Sequence, residues 1–363
     1  MRQIASIELH AILKELQPLT GMYLKKFYDL GGSFRMLFTS SSASSMLYIR
    51  LLQAINLTEI AEEVDNPTNF ATAIRKRIAG KKLTSISQHY SDRIVVMEFG
   101  EERFRLIIEM FGKGNLILTD SEYTILLAYE IVKQKNRTIT PHERYQFPEG
   151  KKFSIDDITE QRISEVLDGA SADEDRIIKY LSSNLDIGPI YLENILTKVN
   201  IDPKSKSSQL ISKPALIRSF TDFLSAAKTP SPVIYSKDGK YVDYSIVPIS
   251  KYEILEKKSL PTVSKMLEEF YLGARTSLQR DQKEIEEINS NIQRQKELLE
   301  EEIKAEKEDA EAGHKIFANM QSINQIIEYI NQKRRVTAEE VQEKFGISVK
   351  SLDLKNKSIR IEI

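Results

Sequence analysis

The sequence predicts an α+β protein of several domains, dominated at its start by antiparallel sheet, and three patterns carry that expectation. Short apolar runs rich in Ile, Val, Phe and Tyr, separated by Gly and Asp, occupy much of the first 150 residues, as strands joined by tight turns do. Between 155 and 226 the pattern changes to short helical pieces broken by Gly169, Gly188-Pro189, Pro203 and Pro214. From 274 to 312 there is neither Gly nor Pro, and apolar residues at 278, 285, 288, 292, 299 and 303 approach a seven-residue repeat. A chain of 363 residues is long enough for two or three domains.

In chain order, Ile4, Ile7, Leu9, Ile12, Leu13 and Leu16 recur at helical spacing, Gly21 interrupts, and Leu24, Phe27 and Tyr28 follow as a strand. Strands are expected within 34–50 and 94–131, with helices at 51–64 and 68–79 between them. Ser40 to Ser45 reads as a serine-rich turn ahead of a helix, and GKGN at 112–115 as a hairpin turn. Residues 1–150 therefore form the first part of an N-terminal domain. A polar hinge at 148–152 opens a helical module over 151–228. Within 229–262 a hairpin turning at Asp238-Gly239 is too small to fold alone, so it is expected to rejoin the first sheet, which makes the helical module an insertion. Residues 263–313 form a coiled-coil arm that Gly313 ends, and 314–363 a small middle domain of helix, shorter helix and strand. The arm needs a second strand, supplied by self-association or by a returning helix.

Composition removes whole classes of chemistry. There is no Cys, which excludes disulfide scaffolds, thiolate zinc sites, iron–sulfur clusters and cysteine nucleophiles. Four scattered His, at 10, 89, 142 and 314, make a histidine-built metal centre unexpected. No P-loop, GxGxxG, HExxH or nucleophile elbow occurs, so no catalytic residue, cofactor or metal is assigned. In the start MRQIASIELH, Glu8 and His10 fall where a signal peptide needs an apolar core, and no apolar run suits a membrane span; a cytoplasmic protein without membrane contact is expected.

Lys and Arg total 52 against 53 Asp and Glu, so any nucleic-acid surface must be a local patch. The densest is Arg75, Lys76 and Arg77 followed by Lys81 and Lys82, with Lys133, Lys135 and Arg137 as a second group. Cations at a helix end complement its dipole, and they equally suit phosphate. Lys113 joins these phosphate-contact candidates, while Tyr23, Tyr28, Tyr90 and Tyr145 are candidates to stack on bases and equally suit a core or its rim. Asp92-Arg93 alone reads as a turn followed by a strand edge, and Arg334 and Arg335 carry no clearer signal.

The segments PTNFATAIRKRIAGKKLTSISQHYSDRIVVMEF, LIIEMFGKGNLILTD and RYQFPEG resemble the N-terminal domain of the NFACT family. SNLDIGPIYLENILTKVNID is similar to its helix-hairpin-helix module, SKMLEEFY to the opening of its coiled coil, and 314–363 to its middle domain. The resemblance implies an N-terminal domain similar to formamidopyrimidine-DNA glycosylase, in a factor of RqcH or NEMF type. Such a factor binds obstructed large ribosomal subunits carrying peptidyl-tRNA, touching rRNA and stalk-base proteins, and recruits tRNA for template-free C-terminal tailing of the stalled chain. Peptide-bond formation stays with the ribosome, so an adaptor is implied, not an enzyme. The family's acidic position and Asp-Arg pair fall on Glu8, Asp92 and Arg93, as tRNA contacts or as residues that organise the site. By the same resemblance, the chain is expected to stop short of the family's C-terminal RNA-binding domain. It also carries Asp186-Ile187 where a second glycine is usual, which argues against a backbone phosphate site at Gly188. A glycosylase alternative lacks its N-terminal Pro and adjacent Glu, since the chain begins Met1-Arg2-Gln3, and a surface adhesin lacks an export signal.

Overall fold

The computed structural model describes residues 2–60, 67–134, 137–150, 152–170, 175–209, 213–333, 335–356 and 358–362, with the backbone alone at 209 and 272–287. Two compact units result, residues 1–278 and 279–363.

The first unit opens with helix α1 (Ser6–Leu16), whose apolar residues at helical spacing all face inward. A meander of β1 (Tyr23–Asp29), β2 (Ser33–Thr39), β3 (Ser44–Arg50) and β4 (Ala54–Thr58) forms a four-stranded antiparallel sheet. Helix α2 (Asn69–Ile78) follows, capped by the Thr68 hydroxyl, which accepts from the Ala71 amide at 3.1 Å. Strands β5 (Leu83–Gln88), β6 (Ile94–Phe99), β7 (Phe104–Glu109), β8 (Asn115–Thr119) and β9 (Ile125–Ala128) form a second antiparallel sheet in sequence order. Its two faces are both covered. Val95, Met97, Leu106, Ile108, Leu116 and Leu118 join the main core, while Ile94, Val96, Ile107 and Ile117 pack under residues 123–147, where β10 (Val132–Gln134) and β11 (Arg137–Ile139) pair. Burial on both faces explains why RIVVMEF and FRLIIEMF lack polar alternation.

The helical region consists of α3 (Glu160–Gly169), α4 (Ile177–Asn184), α5 (Pro189–Lys198) and α6 (Lys213–Lys228). Strands β12 (Val233–Lys237), β13 (Lys240–Ser245) and β14 (Glu256–Ser259) come next, and helix α7 (Val263–Ala318) leads out of the unit. One hydrophobic cluster joins α1, both sheets, the four helices, the third sheet and the start of α7, with Ile12, Phe27, Leu192, Tyr235 and Leu267 among its members.

Several expectations change. The helix expected over 51–64 is a turn followed by β4, which pairs with β3 from Met46↔Thr58 to Arg50↔Ala54; ladder pairing and burial of Ala54 and Ile55 outweigh local spacing, and 61–66 lie outside the described residues. The serine-rich turn precedes a strand, not a helix: Ser40 Oγ accepts from the Ala43 amide at 3.1 Å and closes the β2–β3 hairpin. The 229–262 hairpin does not rejoin the first sheet. It builds its own sheet in the order β13-β12-β14 and shares the core through side chains.

In the second unit, Gly313 lies inside α7, and the helix continues to Ala318; one helical Gly costs only about 1 kcal/mol relative to Ala. Every described residue from 288 to 318 is exposed, including Ile288, Ile292, Leu299 and Ile303 of the expected seam; positions 278 and 285 lie where side chains are not described. Helices α8 (Met320–Gln332) and α9 (Ala338–Phe345) then pack around Ile326, Val336 and Val341 with a hairpin of β15 (Ser348–Asp353) and β16 (Ser358–Glu362), two strands where one was expected. Arg334 lies outside the described residues, and Arg335 is exposed.

Candidate nucleic-acid site

The turn from β5 to β6 forms one wall of a cleft of about 830 Å³, whose other walls come from the N-terminal segment, the α4–α5 loop, β13 and the short 3-10 helix at Ser250–Tyr252. Asp92 and Arg93 both line it, together with Arg2, Asp186, Asp243 and Lys251. The charged groups lie among apolar ones, Phe111, Pro148, Ile178, Ile190 and Tyr252.

The turn is tightly fixed. The His89 amide donates to Ile94 O at 2.9 Å, the Asp92 amide to His89 O at 3.0 Å, and the Met110 amide to Arg93 O at 2.8 Å. Gln88 Nε2 donates to Asp92 O at 2.9 Å and to Ser6 Oγ at 3.0 Å, while the Ser6 hydroxyl donates to Ser91 O. Arg93 donates to Gln3 Oε1 at 2.7 Å. Partial burial pulls the Arg93 pKa down, and the Asp186 carboxylate opposes that shift. Asp186 is itself tied to the turn, accepting from the Ser91 hydroxyl at 2.6 Å. The Asp186 carboxylate thus braces the turn and faces Arg93.

Glu8 is fully buried and does not line the cleft, so it touches no ligand there. It occupies the third position of α1, where a carboxylate can reach back to the helix N-terminus, and it accepts from the Ala5 amide at 2.7 Å. Tyr191 donates to it at 2.6 Å, and Arg2 completes its shell in an ion pair. Arg2 extends from Glu8 to the cleft wall, binding Asp243 at 2.7 Å and lying 4.3 Å above the Tyr244 ring. Burial pushes the Glu8 carboxyl up against the pull of Arg2, the Ala5 amide and Tyr191. Burial also works against the Arg2 charge, yet Glu8, Tyr191, Tyr244 and Asp243 hold its pKa above the usual value. Of the three residues that the family resemblance selects, the structure brings two into the cleft and places the third behind its wall.

Two glycines shape the walls. Gly188, with φ +106°, caps α5, and a Cβ there would come within 2.8 Å of the Ala5 Cβ. A Cβ on Gly150 would meet Asp92 Oδ1 at 2.9 Å. The RYQFPEG segment thus positions the site: Tyr145 donates to Glu109 Oε1 at 2.8 Å, Pro148 lines the cleft and Gly150 lets the chain pass Asp92. The sequence reading gave Arg2, Asp243 and Gly150 no role in a site and met Asp186 only as a departure from an expected glycine; Pro189 at the first turn of α5 after Gly188 was a further local signal pointing to this wall.

The phosphate-contact candidates fall elsewhere and apart. Lys113 is exposed at the β7–β8 turn, at the cleft end of the sheet, but lines a separate cavity with Arg50, Gln53 and Glu130. Arg75, Lys76, Arg77, Lys81 and Lys82 lie at the opposite end of β5. Of these, Arg75 donates through Nε to Phe27 O at 2.7 Å, Arg77 to Ala73 O at 3.2 Å, and Lys81 is held by Glu102 at 2.5 Å. In the second basic group, Arg137 is ion-paired with Glu109 and lies over Phe111, Lys133 is exposed, and Lys135 lies outside the described residues. Tyr145 is buried, which removes it from base stacking; Tyr23 and Tyr28 each face a cation; Tyr90 is exposed beside His89.

Fold and site define a class: an α+β module with a helical region packed against it, enclosing a cleft of charged and apolar groups at their junction. The chain belongs to the family described as NFACT N-terminal and middle domains, whose model matches residues 5–346. Among curated relatives, the archaeal Rqc2 homolog aRqcH of Methanocaldococcus jannaschii is 28% identical over 353 residues, covering 92% of this chain and 52% of that protein. The human ribosome quality control complex subunit NEMF is 28% identical over 222 residues, covering 57% of this chain and 20% of that protein. The chain thus spans about half the length of the first of these and less of the second. Among solved structures, the fibrinogen binding protein of Staphylococcus aureus matches with a TM-score of 0.61 at 20% identity, over 74% of this chain and 98% of that one, a likeness of fold.

Proposed function

We propose that this chain is the RNA-capturing part of a ribosome quality control factor, one that engages obstructed large ribosomal subunits bearing peptidyl-tRNA and recruits tRNA for template-free tailing of the stalled chain. The family and the names of the relatives support the setting; the cleft supports the mode of action. The observation that carries the proposal is the Asp92-Arg93 turn, braced by Gln88, Ser6 and Asp186 in a cleft wide enough for a nucleotide. A guanidinium so placed contacts phosphate or a base edge, and a neighbouring carboxylate accepts from ribose hydroxyls or base amino groups. Glu8 organises this site through Arg2 and contacts no RNA. The residues bind and orient, and peptide-bond formation is left to the ribosome, which places the protein in the cytoplasm.

The test is tRNA and large-subunit binding by the wild-type chain and by Arg93→Ala. Loss of one charge-assisted contact should weaken tRNA capture about tenfold or more, at roughly 1.5–3 kcal/mol for such a bond, with subunit binding retained. Unchanged tRNA affinity would remove Arg93 from the contact.

A further inference from the structure

We infer that the opposite end of β5 carries a second, independent nucleic-acid surface that grips the sugar-phosphate backbone of an RNA helix. It rests on the RNA-capture proposal for the kind of partner, and on different residues for everything else.

Strand β1 carries a bulge at Lys25, where the register with β2 slips between Leu24 and Lys26. The extra residue breaks the alternation of faces, so Lys25 and Lys26 are both exposed, and Tyr28, two residues on, shares the outward face with Lys26. The free edge of β1 is occupied by the chain that leaves α2: the Leu24 amide donates to Lys81 O at 3.0 Å, the Gly80 amide to Leu24 O at 2.8 Å, and Tyr23 bridges to Lys82. Backbone hydrogen bonds thereby fix Lys82 beside Tyr23, its Nζ 5.7 Å from the ring centroid. Arg75 is held by its side chain instead, its Nε donating to Phe27 O with the guanidinium 5.1 Å from the Tyr28 centroid. Lys25, Lys26, Arg75 and Lys82 thus line one stretch of β1, with Lys76 and Arg77 in the adjoining last turn of α2. Among the described residues, none of the six is ion-paired with a carboxylate, whereas Lys81 beside them is held by Glu102. In a chain with 52 cations and 53 anions, six such cations against the exposed Glu101 and Glu102 of the adjoining β6–β7 turn, whose Gly100 amide donates to Lys82 O at 2.8 Å, are a local excess of positive charge.

A helix dipole accounts for cations in the last turn of α2 and says nothing of two lysines on a strand. The chemistry of the surface selects its partner. Arg75 lies over the half-buried Tyr28 and Lys82 beside Tyr23, which is 47% exposed, so cations outnumber open rings and the surface contacts backbone without sequence preference. Among the described residues, no large aliphatic side chain is exposed there to enter a bilayer, which argues against a lipid surface. Strand β5 spans about 20 Å at roughly 3.3 Å per residue, so this surface and the cleft are separate footprints.

The experiment compares the full chain with Lys25→Gln/Lys26→Gln and with Lys198→Gln/Lys228→Gln, a control with the same charge change on exposed positions elsewhere. The probe is a blunt RNA duplex of arbitrary sequence, about a dozen base pairs long, titrated at several salt concentrations. The β1 variant should lose about tenfold in affinity at low salt, and its log affinity against log salt should be shallower by roughly two, near 0.9 per lost phosphate contact, while the control binds as wild type. Equal losses in both variants, or none, would overturn the proposal, as would tighter binding of a single strand of equal length, polyglutamate or anionic vesicles than of the duplex. The two proposals fail separately: indifference of tRNA capture to Arg93→Ala removes the cleft, and indifference of duplex binding to the β1 lysines removes this surface.

Discussion

At the cleft end of β5, charged groups are tied down by side-chain partners, Arg2 by buried ones; at the other end, most of the charge belongs to side chains on the surface. Arg93 is fixed through Gln3, and Arg2 through a fully buried Glu8, a buried Tyr191 and a partly buried Asp243. Lys25, Lys26, Lys76 and Lys82 stand on strand and helix backbone that would hold its shape with any exposed residue there. The difference predicts different consequences of mutation. In the cleft, binding and folding are coupled, because the groups that shape the wall also close the core. On the β1 surface, changing exposed lysines moves stability by no more than about 0.5 kcal/mol and acts on affinity alone.

The largest effect expected is that of Glu8→Ala. It strands Arg2 against the core with Asp243 as its remaining carboxylate, and leaves the Ala5 amide and Tyr191 hydroxyl without their acceptor. Removing one partner of a buried ion pair costs on the order of 3–5 kcal/mol, enough to consume a large part of a domain's stability. Urea unfolding should show the loss, and Glu8→Gln, which keeps the acceptor oxygen, should recover part of it. Wild-type stability in Glu8→Ala would return Glu8 to the position of a dispensable group and dissolve the contrast between the two ends.

Gly188→Ala ranks next. The positive φ of +106° and the 2.8 Å approach to Ala5 leave no room for a methyl group, so the α4–α5 loop must move. Strain of this kind costs roughly 1–3 kcal/mol, and the displaced loop carries Asp186 away from Ser91 and Arg93. A lower Tm together with weaker tRNA capture is expected, with duplex binding at the β1 surface unchanged. Equal damage to both binding activities would show that the two surfaces are not independent.

The two ends also differ in how far they could be seen in the sequence. Local signals are additive along the chain, and they located α1, α2, the strand runs and the basic cluster after α2. They failed where pairing with a neighbouring element, not spacing along the chain, decides. Ala54–Thr58 became a strand because β3 lay beside it, and Lys25 joined the basic surface because of a bulge that no spacing rule announces. Arg2 carries no signal at all until Glu8, Asp243 and Tyr244 are folded around it. Family resemblance drew attention to Glu8, Asp92 and Arg93 together; the fold separates the buried member from the two in the cleft, a distinction set by burial that residue type does not encode.

The smallest effect expected is one of pH, and it also divides the two ends. His89 begins the Asp92-Arg93 turn, its ring stacked on Phe147 at 3.7 Å with 10° between the planes and edge-on to Tyr90 at 4.7 Å. Burial lowers its pKa, so the folded protein holds a neutral imidazole where the unfolded chain, near the ordinary value of 6.5, takes up a proton more readily. Stability from this group is therefore fully present above pH 6.5 and is lost as the pH falls through the folded pKa. Thermal unfolding between pH 7.5 and 5.5 should show a steeper decline for wild type than for His89→Gln; because His10, also lowered by burial, is common to both, the difference between them isolates His89. Duplex binding at the β1 surface, built from Lys, Arg and Tyr, should not follow that difference across the same range. Identical pH slopes in the two proteins would show that the turn tolerates a charged His89, and that the stacked ring does not fix the Asp92-Arg93 geometry.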